Sequence, residues 1–220
     1  MNALPATPAA PARGALSFTH RLVPATDPAA APLLLLHGTG GDENDLIPLG
    51  RMLSPGAALL SPRGKISEGG MPRFFRRLAE GVFDEEDVVR RAHELADFIG
   101  EARTAYGLAA PVAVGFSNGA NIAAAMLMLR PDALSGAALL RAMVPLANPP
   151  AGTLPGTPVL MLSGAADPIV PASNAARLAA QLNERGARVE HRVLPGGHGL
   201  TPTDMTAMRD WLARTGAATA

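Results

Sequence analysis

The run Pro111-Val112-Ala113-Val114 leads straight into Gly115-Phe116-Ser117-Asn118-Gly119, and the next ten residues, Ala120 to Leu129, are apolar almost all round. A short apolar run rich in valine reads as a buried strand, and an all-apolar segment of that length reads as a buried helix. The chain must therefore pass from strand to helix within five residues. A Gly-x-Ser-x-Gly turn that tight, a nucleophile elbow, forces the serine into a strained backbone conformation and demands small neighbours. It would set the Ser117 hydroxyl at the carboxyl edge of a sheet, with the Asn118 N–H at a helix start facing a developing oxyanion. The other reading is an ordinary strand-to-helix loop with Ser117 or Asn118 as N-cap.

Around this turn, apolar runs at 17–23, 32–36, 57–61, 111–116, 136–141, 157–163 and 188–194 alternate with longer amphipathic segments. That is the pattern of an α/β chain in which helices cover both faces of a mostly parallel sheet. Asp84 can cap a helix whose Val88, Ala92, Leu95, Ile99, Ala102 and Tyr106 form one stripe of a 3.6-residue period. Further helices are expected over 172–185 and 202–214. Residues 1–14, mostly Ala and Pro, are too poor in large apolar groups to repay ordering and read as a flexible tail. Residues 15–220 read as one domain, the size that 220 residues with 48% hydrophobic content suit.

The chain has no cysteine, which removes disulfides, thiolate metal sites and a cysteine nucleophile. A serine hydroxyl is a weak nucleophile near neutral pH. An elbow therefore requires a histidine base and a carboxylate to fix its tautomer, in the chain order Ser, acid, His. Of five histidines only His191 and His198 follow Ser117. His191 lies inside the alternating strand VEHRVL, whereas His198 sits in the glycine-rich loop PGGHGLT just past it. Among the acids between, Asp132, Asp167, Glu184 and Glu190, only Asp167 immediately follows a parallel strand, in VLMLSGAADPIVP. Its alternative use is to cap the helix near Pro171. A second oxyanion donor is expected after the early strand of LLLLHGTGGDEND, where small residues let backbone N–H groups converge, that of Thr39 foremost. His37 is expected to hold that loop by hydrogen bonding. A phosphate loop is the competing reading, but Glu43 stands where the dinucleotide fingerprint needs glycine and the Walker lysine is missing.

The ordered set LHGTGGDENDL, GFSNGANIA, SGAADPIVP and GGHGLT resembles the phospholipase/carboxylesterase family of α/β-hydrolases over about residues 16–215. That family includes acyl-protein thioesterases and small bacterial carboxylesterases. The resemblance implies an α/β-hydrolase fold with about seven strands, a Ser117, Asp167, His198 triad, and an oxyanion hole of the Thr39 and Asn118 N–H groups. A closer likeness is to a bacterial subgroup carrying SPRG, GMPRFFRR and EGVFDEEDV, often linked to the handling of quinones or other toxic organic compounds. The thioesterase branch usually has Gln and Gly where this chain has Asn118 and Ala120, which points away from protein deacylation. The likeness also implies a homodimer.

In the middle segment Met71, Phe74 and Phe75 can line an acyl pocket or pack in the core. Arg63, Lys65, Arg73, Arg76 and Arg77 can recognise a substrate carboxylate or pair with the acidic run Asp84 to Asp87; Arg63 is the substrate-binding candidate among them. Nineteen basic and nineteen acidic residues leave no net field to hold nucleic acid or an anionic membrane surface. No apolar run reaches the roughly 18 residues of a membrane span and the start lacks a basic leader, so a cytoplasmic protein is expected. No metal or cofactor is expected, and the absence of cysteine already removes thiolate metal sites. Together these residues predict a serine carboxylesterase acting on small to medium acyl esters through an acyl-enzyme. Thioester or lysophospholipid hydrolysis, or a non-catalytic binding role on the same fold, remains the alternative.

Overall fold

Leu33 to Leu36 form a strand whose four side chains are all buried, because alternate leucines enter different cores. Leu34 and Leu36 join one apolar cluster and Leu33 and Leu35 another. A strand buried on both faces must be covered by helices on both sides, and the computed structural model, which describes residues 16–215, has that arrangement. Its strands are β1 (His20–Val23), β2 (Leu33–Leu36), β3 (Leu59–Pro62), β4 (Ile66–Glu68), β5 (Met71–Arg73), β6 (Arg77–Ala79), β7 (Val82–Phe83), β8 (Val112–Phe116), β9 (Gly136–Leu140), β10 (Pro158–Gly164) and β11 (Arg188–Leu194). The helices are α1 (Ile47–Leu53), α2 (Glu85–Tyr106), α3 (Asn118–Leu129), α4 (Ala172–Glu184) and α5 (Pro202–Thr215).

The central sheet has seven strands in the order β1-β3-β2-β8-β9-β10-β11, all parallel except β1, which runs antiparallel to β3. One face packs on α2, α3 and α4 and the other on α1 and α5. Every strand and helix read from the sequence is present to within a few residues at its ends. Asp84 caps α2 as expected, its carboxylate accepting from the Asp87 N–H, and Gly107 closes the helix in the left-handed conformation. The tail expected over 1–14 lies outside the described residues.

The sequence reading missed α1 and two antiparallel hairpins, β4–β5 and β6–β7, that the chain inserts between β3 and α2. The first turns through Gly69-Gly70, both at positive φ (58° and 86°), which matches the twist of a two-residue hairpin turn. Both hairpins stand over the carboxyl edge of the sheet and wall the cavity there: Arg73 ends the first, while Arg77, Glu80 and Phe83 come from the second.

Candidate active site

At the end of β8 the chain turns into α3 with Ser117 at φ 52°, ψ −114°. A non-glycine residue held there costs about 1–3 kcal/mol, so the surrounding packing must fix it. The fit is tight: a Cβ on Gly119 would lie 2.0 Å from the Leu36 carbonyl oxygen, and one on Gly115 would lie 2.6 Å from that of Gly119. Only glycine lets α3 approach β2 this closely. Ser117 makes no capping hydrogen bond to α3, so the ordinary N-cap reading does not describe it.

The Ser117 hydroxyl instead meets His198. The imidazole Nε2 lies 3.0 Å from Ser117 Oγ, and Nδ1 lies 2.9 Å from Asp167 Oδ2 and 3.2 Å from Oδ1. Asp167 follows β10 and its side chain is buried. Burial pushes its pKa up, but the Ile169 and Val170 N–H groups, which donate to Oδ1 at 2.8 and 3.1 Å, together with His198, overcome it, and the carboxyl is held below its ordinary 3.8. Asp167 therefore enters the site as an anion beside the Nδ1 edge of the imidazole, the arrangement that orients a histidine base. His191 lies elsewhere, its Nε2 2.9 Å from Ser163 Oγ.

The loop bearing His198 is gripped from below. Arg141, fully buried and itself at φ 56°, donates from Nε to the Gly197 carbonyl (2.9 Å) and from Nη2 to that of Gly199 (3.1 Å), the two residues flanking the histidine. Its guanidinium also forms a bidentate pair with buried Asp204 at the start of α5 (2.8 and 2.9 Å). The sequence reading did not single out Arg141.

The second predicted loop also lies at the cavity, and among the described residues neither the Thr39 nor the Asn118 N–H donates to a protein acceptor. His37 ties this loop down as expected: Nδ1–H donates to the Gly38 carbonyl (2.7 Å) and Nε2 accepts from the Gly64 N–H (3.0 Å), which requires the neutral ring. Burial lowers the His37 pKa and favours that form.

Met71, Phe74, Phe75 and Arg63 do not line the cavity. Phe74 and Phe75 are buried in the core, against His37 (ring centroids 4.7 Å) and Phe83 (5.1 Å) respectively, so packing claims their rings. Met71 is exposed beside Gly40, and Arg63 is bound to Glu43 (Nη2 to Oε1 2.8 Å). The segment they mark acts as a brace instead. The Phe74 N–H donates to Asn118 Oδ1 (2.7 Å), Arg73 Nη1 to Thr39 Oγ1 (2.6 Å), and the Gly40 N–H to the Pro72 carbonyl (3.0 Å), so the three residues 72–74 at the end of β5 fix both candidate oxyanion loops.

The cavity over Ser117 measures about 210 Å³. Its apolar wall is Phe83, Phe116, Met143, Ile169 and Val170; Arg73, Arg77, Glu80, Asn121 and Arg141 are on the polar side. A nucleophile hydrogen-bonded to an oriented base, two free N–H donors and a small cleft are the parts acyl transfer needs.

Residues 19–215 match the family model described as Phospholipase/Carboxylesterase. Over 181 residues, 81% of this chain and 90% of the relative, the sequence is 46% identical to MhqD of Bacillus subtilis (strain 168), a hydrolase by name. Among solved structures it is similar to the Bacillus cereus carboxylesterase, 41% identical with a TM-score of 0.88, covering 90% of this chain and 94% of that one. It is also similar to YahD with malic acid, 29% identical with a TM-score of 0.85, covering 90% and 99%.

Proposed function

The chain belongs to the phospholipase/carboxylesterase family and has the α/β-hydrolase fold of an ester-hydrolysing enzyme, and we propose that it is a serine carboxylesterase working through Ser117, His198 and Asp167. The observation that carries the reading is the unbroken line from Asp167 Oδ2 through His198 to Ser117 Oγ (2.9 and 3.0 Å), set on a strained elbow between two unpaired backbone N–H groups.

In the proposed reaction Ser117 Oγ bonds to the ester carbonyl carbon as its proton passes to His198 Nε2. The carbonyl oxygen becomes an oxyanion that accepts from the Thr39 and Asn118 N–H groups. Collapse breaks the carbon–oxygen bond to the alcohol, which leaves with the proton from Nε2. Water then loses a proton to His198 and attacks the acyl-enzyme, releasing the acid and restoring Ser117. Asp167, anionic throughout, supports the transient imidazolium.

A cavity of about 210 Å³ suits small to medium acyl groups. YahD, the relative solved with malic acid, holds a small dicarboxylic acid. Among the described residues no helix is long and apolar enough to cross a membrane; a cytoplasmic location, the expectation read from the sequence, and a homodimer, taken from the family likeness, complete the reading. A fluorophosphonate probe tests the nucleophile directly. We expect mass spectrometry to find the phosphonyl group on Ser117 and Ser117→Ala to take up none; a labelled Ser117→Ala protein would assign the nucleophile elsewhere.

A further inference from the structure

We infer that the cavity beside Ser117 selects esters that carry a carboxylate of their own, half-esters of short dicarboxylic acids, and that Arg73 and Arg77 hold that second carboxylate. The inference rests on the ester-hydrolase reading and names its substrate class.

The polar wall of the cavity is rich in donors. Arg73 is buried, its side chain only 3% exposed, and its guanidinium carries donors alone. Nη1 donates to Thr39 Oγ1, while Nε donates to the Phe75 carbonyl (3.2 Å) and pairs with Glu68 Oε2 (3.2 Å). Among the described residues Nη2 has no protein acceptor. Asn121, on the same cavity, uses its carbonyl oxygen to accept the Met143 N–H (2.8 Å), and among the described residues its amide donors have no protein partner. A neutral aliphatic tail bound here would bury these donors unpaired, whereas a carboxylate satisfies them and meets Arg73 as a charge-assisted partner.

The charges are also sorted by depth. Arg73 and Arg77 are 3% and 23% exposed, but the carboxylates that pair with them, Glu68 and Glu80, are 36% and 64% exposed. The guanidinium groups thus sit inward and their counter-ions outward. Glu68 does not line the cavity. Glu80 does, from the turn of the β6–β7 hairpin, where it is bound to Arg77 Nη1. It occupies the seat that a substrate carboxylate would take, and its exposure makes it the carboxylate that water can accept back. Exchange keeps Arg77 paired while giving Arg73 Nη2 an acceptor. Arg63, bound to Glu43 away from the cavity, has no such part.

The test compares monoethyl succinate with ethyl 4-methylpentanoate, in which an isopropyl group replaces the carboxylate at nearly the same shape, each followed by pH-stat with wild type and Ser117→Ala. The readout is the ratio of kcat/KM values, so a general loss of activity in a variant cancels. We expect wild type to favour monoethyl succinate by about tenfold or more. Arg77→Gln should collapse the ratio towards one, and Glu80→Gln, which removes the competing charge from the seat, should raise it. Ser117-dependent hydrolysis with a wild-type ratio near or below one, or a ratio that neither variant moves, overturns the inference and leaves the ester-hydrolase reading standing. Failure of both esters to show Ser117-dependent turnover overturns that reading and the inference with it.

Discussion

Ser117 and Arg141 both hold positive φ, 52° and 56°, and the two strained residues serve one contact. The first presents its hydroxyl to His198; the second grips the carbonyls on either side of His198. A histidine in a glycine-rich loop has little else to fix its ring, so the buried guanidinium supplies the rigidity that the loop sequence lacks. Arg141→Lys keeps the charge but loses the fork, and a small misplacement of a base can cost about 10²-fold. We expect kcat to fall by about 10- to 100-fold with KM little changed, measured on any ester the wild type hydrolyses. Arg141→Met additionally leaves Asp204 buried and unpaired, a loss of about 3–5 kcal/mol, to be read from chemical denaturation.

At the scale of elements, the five inner strands of the central sheet were legible because a sheet covered on both faces leaves continuous apolar runs such as Leu33 to Leu36, while the edge strand β11 showed as the alternation of RVEHRVL. Ser117, His198 and Asp167 were legible for a related reason: their order and their places after successive strands restrict the choice, and the fold brings all three together. The two hairpins were not, since their strands are two or three residues long and too short for any period to show. The Gly69-Gly70 pair was the available signal. The choice left open for Phe74 and Phe75 follows from it: without the β4–β5 hairpin nothing in the sequence shows that their rings pack in the core while Pro72, Arg73 and the Phe74 N–H bond to the Thr39 and Asn118 loops. Arg141 escaped because a lone arginine after an apolar strand has no motif, and its partner Asp204 lies 63 residues on.

For the molecule as a whole, the buried ionisable groups set how stability depends on pH. Burial lowers the His37 and His191 pKa values below their ordinary 6.5. The unfolded chain therefore binds more protons than the folded one below about pH 6.5, and stability falls as the pH drops past it. Asp87, Asp167 and Asp204 are held below 3.8, burial raising each but hydrogen bonds and arginine or histidine partners outweighing it. Their contribution is complete above about pH 3.8 and is lost as the pH falls through their lower folded values. We expect calorimetry from pH 8 to 3 to show a Tm that starts to decline below about 6.5 and drops more steeply below about 4; a Tm that stays level or rises between pH 7 and 5 would contradict this. The central claim is that Ser117, activated by His198, performs ester hydrolysis in the small cavity beside it. The measurement that meets it most directly is hydrolysis of a p-nitrophenyl ester series from acetate to decanoate by wild type and by Ser117→Ala, with circular dichroism confirming that both are folded. The account expects turnover that peaks at short chains and falls by about 10³-fold or more in the variant. Undiminished turnover by a folded Ser117→Ala protein would contradict it.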